Sequence, residues 1–153
     1  MQMIFRTILS LVVLHGAALA APGAQIYSSR CAMCHQPAAV GLSGQFPRLA
    51  GRAAALAASP EGRHYLASAV LNGLYGPIVV DGKPITGMMP AMGTLPDADV
   101  AEVLNYLAQL KPGGKKAKPF DAAEIAAVRA EGRVSGAKVA AERARLVEAK
   151  LIP

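Results

Sequence analysis

The sequence predicts an all-α fold: helices gathered around one small core, with a short hairpin excursion and a helical C-terminal extension. Three observations predict it. Helix-start signals recur at Ser59-Pro60-Glu61, at Thr94 with Asp97 and at Asp121 with Glu124. Apolar residues follow each signal at helical spacing. One stretch alone, around Pro77–Ile85, reads as paired strands. A chain of 153 residues suits one domain with an extension, and its three Phe, four Tyr and no Trp leave the core poor in aromatics.

Residues 1–20 read as a secretory signal peptide. Arg6 supplies the basic start, Ile8–Leu14 the apolar run and Ala18-Leu19-Ala20 the small-residue cleavage signal. His15 interrupts the apolar run, which falls short of the roughly 18–20 residues a membrane span needs. Cleavage after about Ala20 is expected, and membrane association would follow only if the leader were retained.

Gly23–Arg30 reads as a short helix with Pro22 at its first turn. It feeds Cys31-Ala32-Met33-Cys34-His35, a C-x-x-C-H motif that signals covalent attachment of a c-type haem. Two thiols on one helical turn can reach both vinyl groups of one porphyrin edge. The His that follows brings a neutral imidazole to the iron. A thioredoxin-like pair wants a βαβ context, which the neighbouring residues lack. A structural zinc site wants four ligands, and the mature chain offers only Cys31, Cys34, His35 and His64. A simple disulfide leaves the adjacent His unexplained. The expected cofactor is therefore one covalently bound haem c, which also fills an aromatic-poor core. Thioether attachment takes place outside the bacterial cytoplasm, so the expected location is the periplasm.

A Gly- and Pro-rich loop follows His35, with Phe46 and Leu49 as candidate haem-wall residues. The carbonyl of Pro47 could accept from the second ring nitrogen of a ligating His; a plain turn is the alternative. Ser59, Pro60 and Glu61 open a helix to about Asn72, closed by Gly73, with Tyr65, Leu66, Ala69 and Val70 on its buried face. His64 lies beside that face, where a lone helical His is more often a surface residue than an iron ligand. Asp81-Gly82 marks the hairpin turn, and Pro84 makes the return strand a poor ladder member. Gly87–Gly93 then carries Met88, Met89 and Met92 in a Pro-containing loop. Methionine often only fills gaps, but a thioether aimed from a loop also suits the distal side of a haem. Pro90 biases Met89 toward an extended backbone, a small preference over the other two.

Thr94–Leu110 is the clearest helix, with Val100, Val103, Leu104 and Leu107 on one face. Tyr106 is placed to meet Tyr27 or Gly23 where the first and last core helices cross. Residues 111–119 form a Lys-, Pro- and Gly-rich linker. Residues 120–153 follow as a basic helical extension, broken at Gly132 and restarted at Ser135. Its weakly amphipathic helices can dock on the core, bind a partner or fray.

Charge is uneven. Residues 21–110 carry five basic and five acidic groups; residues 111–153 carry ten basic and five acidic, and hold the whole mature excess. Export makes nucleic acid a poor partner for that basic tail. An acidic protein surface or an anionic lipid surface suits it better.

With these motifs together, the chain resembles the class I c-type cytochromes of bacterial periplasmic respiration over residues 23–110. The resemblance rests on Cys31–His35, on Phe46-Pro47-Arg48-Leu49-Ala50-Gly51, and on Met89-Pro90-Ala91 followed by the helix through Leu107. It implies that Cys31 and Cys34 hold the haem, that His35 is the proximal and Met89 the distal ligand, and that Pro47 supplies the carbonyl behind His35. The stretch from Val70 through the hairpin is similar to cytochrome subunits of periplasmic dehydrogenases and to small cytochromes of oxidases and nitrite reductases. Two departures stand out: Gln36 replaces the common Gly, and the basic tail exceeds the minimal pattern. The implied function is single-electron transfer between redox proteins, with no catalytic residue. Its rival is a five-coordinate haem enzyme or sensor with an open distal site, followed by a haem-free dithiol oxidoreductase.

Overall fold

α1 (Pro22–Arg30) starts on a proline already fixed in a helical φ and runs without a gap into α2 (Ala32–His35), because the Cys31 amide bonds the Tyr27 carbonyl at 2.9 Å. This computed structural model describes residues 22–110 and 117–153. The leader and most of the linker, residues 111–116, lie outside the described residues.

After a 3-10 turn at Pro37–Ala39 comes α3 (Arg52–Leu56), a helix for which the sequence carries no capping side chain. The Gly51 amide just before it bonds the Leu110 carbonyl at 2.8 Å, fixing α3 against the end of a distant helix. α4 (Pro60–Asn72) begins as expected, with the Ser59 hydroxyl accepting from the Gly62 amide at 3.1 Å, and ends at Gly73. Tyr65, Leu66 and Ala69 are buried, whereas Val70 is only partly so.

β1 (Leu74–Val80) and β2 (Lys83–Met89) pair antiparallel through the Asp81-Gly82 turn, whose φ values of 51° and 72° suit a primed two-residue turn. The hairpin is longer than expected. Pro84 sits opposite Val79 inside the ladder, tolerable because the sheet has only two strands and both are edges.

α5 (Asp97–Gln109) corrects the sequence reading of its start. Pro96, not Thr94, occupies the cap position, and no side chain caps the helix. Pro96 already fixes the entry geometry, and Asp97 and Asp99 still favour the first turn electrostatically. α1 crosses α5 with Gly23 at the contact: a methyl there would lie 2.2 Å from the Glu102 carbonyl oxygen. Tyr27 and Tyr106 meet at that crossing, ring centroids 5.4 Å apart and tilted by 44°.

α6 (Ala122–Ala130) and α7 (Gly136–Glu148) are capped as expected, by Asp121 and Ser135. They dock on the core: Phe120, Ile125, Val128, Val139, Leu146 and Ile152 are buried with Leu66, Leu71, Leu74 and Leu104. Val147 and Leu151 remain exposed. Polar contacts reinforce the docking. Arg63 forks onto Glu124 at 2.7 and 2.6 Å and stacks on Phe120, and Asn105 bonds both backbone groups of Phe120.

The apolar core falls into two clusters that share α5. One holds Tyr27, Ala39, Ala50, Ala53, Val103 and Leu107, with Cys31 against it. The other joins α4, α5, β1 and the extension, with Met89 against it.

Candidate haem site

α2 places the two thiols on one turn. The His35 amide bonds the Cys31 carbonyl at 2.9 Å, so Cys31, Cys34 and His35 form a single rigid unit. No disulfide joins the two cysteines, and both are half-exposed. Burial, and secondly the Cys34 thiol, push the Cys31 pKa up.

The helix stops because the next residues leave helical space. Gln36 has φ 64° and ψ 157°, a region that in practice only glycine enters without strain. That explains why Gly is common there and marks Gln36 as strained. Its carbonyl accepts from the Tyr27 hydroxyl at 2.6 Å, which holds the distorted peptide against α1. Burial, then the nearby Cys31 and Tyr106, push the Tyr27 pKa to about 12, so the phenol stays a donor.

The loop then folds back over His35. The Gly41 amide bonds the His35 carbonyl at 2.9 Å, and the Leu49 and Ala50 amides both bond the Ala39 carbonyl. Leu42 and Phe46 bridge the loop neck. Gly41 permits this with φ 66°; a side-chain carbon there would lie 2.5 Å from both the Arg48 amide nitrogen and the Phe46 carbonyl oxygen. The fold-back delivers the Pro47 carbonyl to His35, whose Nδ1–H donates to it at 2.9 Å. A carbonyl can only accept, so the ring proton is on Nδ1 and Nε2 keeps its lone pair. Burial lowers the His35 pKa, against the opposing effect of the Pro47 bond, and so favours the neutral imidazole a metal needs.

The three methionines separate clearly. Strand alternation puts Met89 with Ile85 on the packed side of β2 and Met88 on the outer side. Met88 is 72% exposed, while Met89 is half-buried against the core. Met92, half-buried, is tied by its amide to the Val70 carbonyl at 2.8 Å. His64 is engaged elsewhere, since its two ring nitrogens face Glu131 at 2.9 Å and Glu142 at 3.2 Å in the extension.

The residues present fit a haem. Two thiols and a neutral imidazole sit on one rigid turn, with an unshared Nε2 among the described residues. Cys31 packs against one apolar cluster and Met89 against the other. Among the described residues no cluster of three or more His, Cys, Asp or Glu could hold a bare metal ion.

Sequence reasoning did not single out Gly41, the Tyr27 hydroxyl or Arg48 for this site. Arg48 forks onto Asp81 of the hairpin turn at 3.0 Å for each bond, linking the proximal loop to the sheet. Only the positive φ of Gly41 and the oddity of Gln36 had a trace in the sequence.

Comparison with known proteins settles the family. The cytochrome c family matches residues 20–111. The chain belongs to the cytochrome c family. Cytochrome c-552 of Thermus thermophilus (strain ATCC 27634 / DSM 579) is 41% identical over 145 residues, covering 92% of this chain and 97% of the relative. A second cytochrome c-552 from Thermus thermophilus is 41% identical over 129 residues, covering 82% of this chain and 97% of the relative. Coverage of 92% leaves too few residues outside the match to omit the C-terminal segment, so that relative shares most of the extension. This is a class I c-type cytochrome with a helical extension, carrying covalently attached haem c on a chain whose Cys31 and Cys34 fit the attachment motif, and it is an electron carrier.

Proposed function

We propose that this cytochrome shuttles single electrons between redox proteins in the periplasm. Cys31 and Cys34 form its thioether links, His35 is the proximal ligand and Met89 the distal ligand. The observation that carries the reading is the 2.9 Å bond from His35 Nδ1 to the Pro47 carbonyl, which fixes the ring and reserves Nε2 for iron. The packed position of Met89, against the exposed Met88, supports the distal assignment.

Bound haem supplies a one-electron ferric/ferrous couple. The chain's part is to hold it rigidly. His35 is orientated by Pro47, and the loop behind it by Gly41 and Ala39. Buried aliphatic walls exclude water, which limits reorganisation when charge changes. Met33, 89% exposed between the two cysteines, suits an apolar contact with a partner beside the haem edge. The formally neutral residues 21–110 favour such a contact over strong steering. The partner would be a periplasmic dehydrogenase, a reductase or a terminal oxidase, with the basic tail available to an acidic partner surface.

In this reading residues 1–20 are a signal peptide cleaved after about Ala20, 21–110 the haem domain, 111–119 a linker and 120–153 the extension. The family match over residues 20–111 spans the haem domain of this reading. The test is an optical spectrum of the oxidised protein beside Met89→Ala. A far-red sulfur-to-iron charge-transfer band is expected in the parent and absent from the variant. A parent without that band, or one that binds carbon monoxide readily once reduced, would point instead to an open distal site and a ligand-binding enzyme or sensor.

A further inference from the structure

The loop that follows Met89 is held from two sides. On the inner side, the Met92 amide bonds the Val70 carbonyl at the end of α4, and the Leu95 amide closes back on the Met92 carbonyl at 2.9 Å. On the outer side the packing is open. A cleft of about 220 Å³ lies there, lined by Leu71, Asn72, Ala91, Gly93 and Thr94. Arg129 and Arg133 of the extension line it too. Arg129, from the last turn of α6, donates to the Gly93 carbonyl, to the Leu95 carbonyl at 2.7 Å and to Asp97 Oδ1 at 2.8 Å. All three guanidinium nitrogens are used, and they join the loop to the first residue of α5.

We propose that Arg129 is a positioning residue for the distal ligand: Met89 ends β2 opposite Leu74, and through the Gly93 and Leu95 carbonyls Arg129 holds the segment that follows it closed and so keeps outside ligands off the iron. This rests on the reading of Met89 as distal ligand. The physical argument is one of populations. A loop bounded by a cleft opens unless its polar groups are tied, and an incoming ligand binds only the open fraction. A planar fork with several donors suits that role, whereas a lysine offers a single point of attachment. The inference also gives the extension a part in the chemistry, since α6 reaches the loop only because Ile125 and Val128 are packed into the core.

The experiment is imidazole binding to the oxidised holoprotein, where imidazole must displace the resident ligand. Arg129→Ala is expected to bind imidazole about tenfold faster and more tightly than the parent, by raising the open fraction. Arg129→Lys, which keeps the charge, should fall between them with an unchanged unfolding midpoint. Arg133→Ala serves as the control, because Arg133 lines the same cleft and forms no hydrogen bond to the loop among the described residues. Amide exchange at Met92 and Leu95 should quicken in Arg129→Ala, a readout independent of ligand binding. Parent-like imidazole kinetics in both Arg129 variants, with the far-red band present in the parent, would overturn this proposal and leave Met89 as the ligand. A parent lacking the band would overturn both. Should Arg129→Ala not fold, Arg129→Lys decides: parent-like kinetics there refute the role.

Discussion

Gln36 carries the clearest backbone strain among the described residues. Its φ of 64° with ψ 157° places a side chain where glycine is the natural occupant, directly after His35. Such conformations cost about 1–3 kcal/mol and persist where the surroundings over-determine them. Here the Tyr27 hydroxyl on the Gln36 carbonyl, and the Ala39 amide on the same carbonyl, do so. Gln36→Gly should therefore raise stability by about 1 kcal/mol, after allowing for the greater freedom of glycine in the unfolded chain. Urea denaturation checks it; an unchanged or lower midpoint would show that the peptide is unstrained in place.

At the scale of elements, α4 and α7 are joined by a titrating contact. His64 on α4 has a carboxylate at each ring nitrogen, Glu131 just beyond α6 and Glu142 on α7. Both carboxylates accept, so both nitrogens must donate, which requires the imidazolium. Burial alone would lower the His64 pKa, but the bonds and charge of Glu131 and Glu142 outweigh it and raise the pKa above 6.5. The sign follows. The folded pKa lies above the unfolded one, so the added stability is fully present below pH 6.5 and is lost as pH rises through the raised value. The stability difference between the parent and His64→Gln should be largest in mild acid and shrink on the alkaline side. A difference independent of pH would mean that His64 is not charged in the fold. The ring is one-third exposed, which screens the pair and keeps the effect modest.

For the whole molecule, the extension is a wall of the core. Phe120, Ile125, Val128, Val139, Leu146 and Ile152 are all buried. At about 1.5–3 kcal/mol for each large apolar side chain, their contribution rivals the about 5–15 kcal/mol that a domain has in total. A chain ending before Ala117 should lose cooperative thermal unfolding, followed by circular dichroism. A truncated protein that melts as the full chain does would make the extension an appendage. Glu124, Glu131 and Glu142 turn toward Arg63 and His64 of the core. Arg133, Lys138, Arg145 and Lys150 remain exposed on the outside.

The sequence by itself determined the attachment motif, the capped helices and the hairpin turn, because each is a local matter of spacing, capping or a forced φ; the uncapped α3, fixed by the Gly51–Leu110 bond, was not legible in it. Cys31, Cys34 and His35 are neighbours in the chain, and Ser59, Asp121 and Ser135 cap helices a few atoms away. What it could not determine depends on residues distant along the chain. The fate of the extension turned on whether weakly apolar faces found a matching surface on α4 and α5, which no local pattern encodes. The start of α5 shifted from Thr94 to Asp97 because Pro96 governs the entry there. Among Met88, Met89 and Met92, local bias gave only a slight preference; the pairing register of β2 and the packing behind it set Met89 apart. Arg129 was one charge in a basic extension until α6 docked and brought its fork to the Gly93 and Leu95 carbonyls of the segment after β2. A guanidinium acquires such a role only when tertiary packing holds both ends of the contact.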